Sequence, residues 1–236
     1  MRLAIMQPYV FPYLGYFQLV QAVDRFIFYD DVNFIKRGWI HRNNILVNGK
    51  AHRFTIPLDR ASQSKLINEV MLHPVEYPAW REKFLKTLHQ SYKNAPHFEA
   101  VYALVAEVLT STAGSIADLA IRSVVLVSQY LGLDTQSVRS SGLSYDRSLK
   151  GPDKILALCR QQEAQMYINP IGGQELYEAQ PFEEDNIALR FIQSQPVTYQ
   201  QFGSDFVPYL SMIDMLMFNT VAQVHALLHH YELIHH

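Results

Sequence analysis

The first thirty-one residues constrain the fold more than any other stretch of the chain. Leu3 to Met6 form an apolar run of strand length, and Gln7 to Pro12 carry two prolines that keep the backbone extended and out of helix. Leu14 to Val23 then repeat apolar residues at helical spacing, and Asp24 punctuates the helix end. Phe26 to Tyr29 make a second apolar strand, with Asp30 and Asp31 just beyond its carboxyl end. In an open sheet built from such strand-helix-strand units, the loop after the first strand is where ligands are held.

Past Asp31 the pattern changes. Ile35 to Asn44 is polar and cationic and leads into a small β element ending near Pro57, with Asn48-Gly49 as its hairpin turn. Helical spacing returns from Trp80 to Asn94 (Phe84, Leu85, Leu88) and from His97 to Thr110 (Val101, Leu104, Val105, Val108). It recurs from Ile116 to Leu131, which Gly132 closes. A second α/β stretch follows: Ser137 to Gly142, a helix from about Pro152 to Gln162, the strand Met166 to Pro170, a turn at Gly172-Gly173, and a strand from Ile187 to Ile192. Pro152 and Asp153 suit the first helical turn by fixed φ and by charge. Tyr209 to Leu228 is helical by period, and His229-His230 and His235-His236 read as a solvated tail. Wholly apolar strands need helices on both faces of their sheet. The expected architecture is therefore one α/β domain over residues 1–236, three-layered, with a mainly parallel, Rossmann-like sheet containing Leu3–Met6, Phe26–Tyr29 and Met166–Ile168. A small β-hairpin element and a mostly helical insertion or lobe at residues 77–131 complete it.

Composition narrows the class of function. At 236 residues and 49% hydrophobic the chain buries a substantial core. Its 20 basic against 22 acidic residues give a net charge of −2, so nothing global attracts nucleic acid or an anionic membrane. The single cysteine, Cys159, excludes an intramolecular disulfide and a multi-cysteine zinc site, and fits a reducing cytoplasm. The first apolar stretch is broken by Gln7, Pro8 and Pro12 and has no small-residue cleavage site, so it does not read as a secretory signal. No apolar run reaches membrane-spanning length. No cofactor, metal site or oligomeric state is read from the sequence.

Several longer motifs are specific: Met6-Gln-Pro-Tyr-x-Phe-Pro-Tyr-x-Gly-Tyr-Phe17, Tyr29-Asp-Asp-Val32, Ile35-Lys-Arg-Gly-Trp-Ile-x-Arg-Asn43, Ile168-Asn-x-x-Gly-Gly173 and Leu210-Ser-Met-Ile-Asp214. Together they resemble the WbqC-like family over nearly the whole chain. That resemblance implies a cytoplasmic enzyme acting on a modified sugar in bacterial O-antigen and other surface-polysaccharide pathways. In that context the chain is expected to be a transferase whose partner is a sugar nucleotide or amino sugar. Its donor or carrier would supply an acyl or aminoacyl (glycyl) group to an amine. A second resemblance is to nucleotidylyltransferases, whose H-x-G-H signature occupies the place of Tyr13-Leu-Gly-Tyr16; the glycine matches and both histidines do not. Nucleotidylyl transfer is therefore the alternative, and a non-catalytic module binding a sugar nucleotide or carrier is the third reading.

The candidate residues cluster at positions 7 to 43. Asp30 and Asp31 stand where a general base or metal ligand works, or equally as a turn or helix cap, and on an extended chain only one of them enters a site. Lys36, Arg37, His41 and Arg42, interleaved with Trp39, suit a diphosphate and a stacked ring, or form an exposed basic loop. His41 is the best single base by intrinsic pKa. Tyr9, Tyr13 and Tyr16 suit a sugar or base pocket or plug the core, while Gln7 offers a loop amide. Ser140 and Ser141, with the Lys150 helix start, suit a phosphate-sized group. Gln7, Tyr13, Asp31, Arg37, His41 and Arg42 are expected to line one cleft, with Ser141 and Lys150 at its rim. Cys159 shares a helical face with Ile155 and Leu158 and reads as core. His225, His229 and His230 read as a solvated helix end rather than metal ligands.

Overall fold

Leu3 and Ile5 point to one side of a sheet and Ala4 to the other, and all three are buried, so this sheet is covered twice. In the computed structural model, which describes residues 1–235, the opening unit is β1 (Arg2–Met6), α1 (Leu14–Gln21) and β2 (Arg25–Phe28). β1 and β2 pair in parallel, with Leu3 opposite Arg25 and Met6 opposite Phe28. The segment between β2 and its next sheet neighbour holds β3 (Arg42–Val47), β4 (Lys50–Thr55), β5 (Leu58–Asp59), β6 (Met71–Leu72), α2 (Glu76–Tyr92), α3 (Phe98–Thr110) and α4 (Ile116–Leu131). β3 and β4 are the hairpin expected at Asn48-Gly49, where φ of +51° and +72° supplies the left-handed turn that paired strands require. Gly132 closes α4 at φ +68°.

β7 (Gln136–Arg139) then joins β2 in parallel, so α4 is the crossover that covers one face. α5 (Gly151–Gln161) leads to β8 (Met166–Pro170), and α6 (Gln180–Glu184) to β9 (Ala188–Ser194). The chain ends in α7 (Met212–Phe218), α8 (Val221–Leu228) and β10 (Tyr231–His235). The sheet order is β10-β9-β8-β1-β2-β7, all parallel except β10. The chain thus builds outward from β1 through β2 to β7, then returns to the far side of β1 for β8, β9 and β10. That order is the Rossmann one, and it reverses between β1 and β8.

Alternation along the strands divides the core. Ala4, Phe26, Phe28, Ile168 and Ile192 pack with α1, α4, α7, α8 and the α2–α3 pair in one continuous cluster. Leu3, Ile5, Ile27, Tyr167, Leu189 and Phe191 pack under α5 and α6. Cys159 sits in that second cluster, and burial pushes its thiol up to about 12, so it behaves as a small apolar side chain.

Two expectations are corrected at the carboxyl end. The helix read over Tyr209–Leu228 is two helices, because Asn219 leaves helical geometry and Thr220 starts α8 with a reciprocal cap to Gln223. His229, His230 and His235 are exposed as expected, but they do not form a free tail: Tyr231–His235 is β10, paired antiparallel with β9 from Tyr231–Ser194 to His235–Arg190. His236 lies outside the described residues. Buried Gln18 on α1 holds this end in place, its Nε2 donating to the carbonyls of Leu227 (2.9 Å) and His230 (3.1 Å) while Ser194 Oγ donates to its Oε1. Gln18→Leu keeps the volume but strands those two carbonyls, and should lower unfolding free energy by about 2–4 kcal/mol in urea titration.

Candidate functional site

The carboxyl ends of β1 and β8, where the strand order reverses, open into a cleft of about 730 Å3. Gln7 enters it from the end of β1, Tyr29 and Asn33 from beyond β2, and Asn169 from β8, while Gly151, Pro152 and Ile155 of the first turns of α5 close one wall. The turn after β8 forms the opposite rim through Gly172, Gly173, Leu176 and Tyr177. Gly173 is required there: a Cβ would run into the Asn169 side-chain nitrogen. Tyr167 donates its hydroxyl to Asn169 Oδ1 at 3.1 Å, and Asn169 Nδ2 donates to the Pro170 carbonyl at 3.2 Å, which fixes the amide's orientation. Among the described residues the lining carries amides, phenols and apolar groups, and no charged side chain. Such walls suit the neutral, hydroxyl-bearing body of a ligand rather than its phosphates.

Charge lies beside the cleft. Asp30 is fully buried and accepts from Ser141 N (3.0 Å), Ser141 Oγ (2.8 Å) and Ser140 Oγ (3.2 Å). Asp31 accepts from Ser140 Oγ on one oxygen and from Tyr145 Oη (2.7 Å) and Arg147 Nε (3.3 Å) on the other. Together they lash the end of β2 to the end of β7. Lys154, only 8% exposed, donates to the Asp31 carbonyl at 3.3 Å and lies 5.3 Å from the ring centres of both Tyr29 and Tyr145. Arg147, half exposed, pairs with the Asp31 carboxylate, and buried Lys154 adds a second cation beside it, so the buried carboxylates are not left uncompensated.

The residues singled out by sequence are dispersed by the fold. Gln7 lines the cleft; Asp30, Asp31, Ser140 and Ser141 form the adjoining network. Asp30 serves as a tie between strands, with both oxygens engaged. Tyr16 is core: buried against Phe17 and Phe26, it donates its hydroxyl to the Gln7 carbonyl at 2.9 Å. Tyr9 packs 5.7 Å from Tyr16, half-buried. Tyr13, 44% exposed, lines a different pocket with Ser194 and Met212. Lys36, Arg37 and Lys150 are exposed, the first two following Ile35 at the cleft's edge. Arg42 is spent on its own turn, donating to the carbonyls of Gly38 and Arg37, and its guanidinium and that of Arg53 lie 5.7 and 5.5 Å from the Trp39 ring.

His41 loses the argument that selected it. Burial, with Arg42 adding to it, lowers its pKa from 6.5 to about 4, and its Nδ1 is buried without a hydrogen-bond partner. A base that weak takes a proton poorly at neutral pH. Its ring packs 5.3 Å from Phe34. At the far end, His225 Nε2 is hydrogen-bonded to the Leu131 carbonyl.

Residues 7–226 match the model of the WbqC-like protein family. The chain belongs to that family. An uncharacterized protein of Mycobacterium tuberculosis, Rv1507c, is 26% identical over 225 residues, which cover 94% of this chain and 95% of that one. No solved structure matches. Among the described residues of this WbqC-like protein, no helix is long and apolar enough to cross a membrane.

Sequence reasoning missed Lys154, Tyr145, Arg147 and Asn169. Lys154 had a signal, a cation directly preceding the apolar stripe Ile155, Leu158 and Cys159. Asn169 stood inside the Ile168-Asn-x-x-Gly-Gly173 motif without a role. Tyr145 and Arg147 had none, since their partner is more than a hundred residues away.

The lowered His41 pKa has a measurable consequence. The unfolded chain takes up this proton near 6.5 and the folded one only near 4, so the stability it contributes is complete above pH 6.5 and is lost as the pH falls toward 4. Urea titrations from pH 7 to 4 should show a loss on the order of 1–3 kcal/mol that His41→Phe largely removes, after allowance for the ring's partial exposure.

Proposed function

We propose that this WbqC-like protein is a transferase that binds a sugar nucleotide or amino sugar in the cleft between β1 and β8. The observation that carries the reading is the uncharged, amide- and phenol-lined cleft at the reversal point of a Rossmann-ordered sheet. Gln7, Asn33 and Asn169 supply two-way hydrogen bonds for sugar hydroxyls or a base edge, and Tyr29 and Tyr177 supply ring faces. Phosphates belong at the rim, toward Lys36, Arg37 and Lys150 and the amides at the start of α5. The family context makes surface-polysaccharide synthesis the setting and acyl or aminoacyl transfer to a sugar amine the reaction. There the amine nitrogen attacks the acyl carbonyl carbon, a C–N bond forms, and the donor's leaving group departs with the amine proton.

Nucleotidylyl transfer draws less support, because the signature histidines are replaced by Tyr13, which faces another pocket, and Tyr16, which is buried. The uncharged lining favours one second reading, a module that binds the same ligand without chemistry.

Calorimetry with UDP-sugars and with the matching nucleoside tests the binding. Asn169→Ala should weaken both by roughly tenfold, the loss of one or two buried hydrogen bonds. Arg37→Ala should weaken the diphosphate ligand by roughly tenfold and leave the nucleoside unchanged. No heat from any UDP- or dTDP-sugar would remove the reading. Acyl transfer to an amino sugar in a single-turnover assay separates the transferase from the binding module.

A further inference from the structure

A second pocket opens on the same carboxyl edge of the sheet, between the last residue of β9 and the start of α1. Its volume is about 210 Å3, and its walls are Leu14, Val197, Phe206, Leu210, Met212 and Met215 with prolines and tyrosines around them. Among the described residues no charged side chain lines it. Two of its polar groups are engaged, Ser194 Oγ donating to Gln18 and Tyr199 Oη to Asp214 at 2.7 Å, while the Gln195 amide and the Tyr13 and Tyr209 hydroxyls add neutral polar groups to the lining. Asp214 is itself buried behind the pocket, also held by Tyr92 Oη and Gln201 Nε2 at 2.7 Å each, so the Tyr199 wall is rigidly backed.

The mouth is costly to maintain. Tyr209 is 84% exposed and sits at φ +58°, a left-handed conformation that a bulky side chain seldom adopts. Tyr13 lies across the first turn of α1, and only a glycine at position 15 permits it: a Cβ there would come within 2.6 Å of the Tyr13 ring and 2.9 Å of Ser194 Oγ. Two large aromatic rings thus stand partly in water around an apolar hole. Nothing in the sugar cleft uses them.

We infer that this pocket holds the apolar acyl chain of the donor. A cavity of about 150 Å3 takes up a benzene ring, so this one suits an uncharged group of roughly six carbons. With no carboxylate among the described residues of its lining, the pocket disfavours an aminoacyl group, whose ammonium would have no counter-charge against largely apolar walls. It opens on the same carboxyl edge of the sheet as the switch-point cleft, the edge on which a donor and an acceptor would both bind. The assignment to a donor rests on the transferase reading, whereas the pocket's preference for an apolar chain is testable without it.

Methyl-labelled methionine gives a local probe, since Met212 and Met215 line the pocket while Met6, Met71 and Met166 lie elsewhere. Titration with methyl hexanoate should shift the Met212 and Met215 methyl resonances saturably and leave those of Met71 and Met166 in place. Glycine methyl ester, a cation of aminoacyl type, should shift neither. Val197→Phe, which fills the hole, should abolish the response with a thermal midpoint close to that of the parent. No saturable shift in the unmodified protein would overturn the inference, as would a response to glycine methyl ester alone. If hexanoate binds and no sugar nucleotide does, the pocket stands and the transferase reading falls.

Discussion

Everything at the carboxyl edge of the sheet depends on the burial of two adjacent carboxylates. Asp30 and Asp31 end β2 in a place without bulk water, and each must find donors from elsewhere in the chain. Ser140, Ser141, Tyr145 and Arg147 supply them from the segment after β7. Lys154 brings α5 to the Asp31 carbonyl. A buried carboxylate with no partner costs several kcal/mol, so the ends of β2 and β7 and the start of α5 are held in one register. The wall of the cleft made by Gly151, Pro152 and Ile155 is a consequence of that register.

A similar solution recurs on the other side of β1. Asp214 collects hydroxyls from Tyr92 on α2 and Tyr199 in the loop after β9, and Tyr92 Oη in turn accepts the Leu46 amide of β3 at 2.6 Å. Burial raises the Asp214 pKa against the opposing effect of Tyr199, Tyr92 and Gln201, which donate to it, and burial raises the Tyr92 and Tyr199 pKa values well beyond the usual phenol range, so both phenols stay donors. The Asp214 carboxyl and its partners form one hydrogen-bonded set. It connects the hairpin, the helical segment and the carboxyl-terminal helices to the same edge on which both pockets open. With Gln18 tying α1 to β9 and to the end of α8, the loop from β9 to α7 is anchored at both ends, leaving Tyr209 to bear the backbone strain between them.

The elements with local signals were legible in advance. Apolar runs at Leu3–Met6, Phe26–Tyr29 and Met166–Pro170 are β1, β2 and β8 to within a residue or two, because an apolar run with no polar face demands burial on both sides. Asn48-Gly49 and Gly132 mark their turn and helix end through the backbone conformations they permit. Period alone located α2 and α3 but missed a break: Tyr209–Leu228 keeps helical spacing across one that the Thr220–Gln223 cap creates. β10 was invisible because Tyr231–His235 carries no sustained apolar run, and pairing with β9 supplies what its side chains do not.

Candidate chemistry was harder to read, for a physical reason. By itself the sequence determined the strands and helices of the opening unit, the hairpin and most of the helices, and that the loops after β1 and β2 carry the unusual residues, since those follow from spacing and composition within a few positions. Only the tertiary structure decided what each polar residue does. It turned Asp30 into a tie and Tyr16 into core, lowered the His41 pKa by burial, sent Tyr13 to a second pocket, and raised Lys154 and Asn169 into view. A side chain's role rests on its solvent exposure and its partners, and the partners of Asp30, Asp31 and Asp214 include groups more than a hundred residues away along the chain.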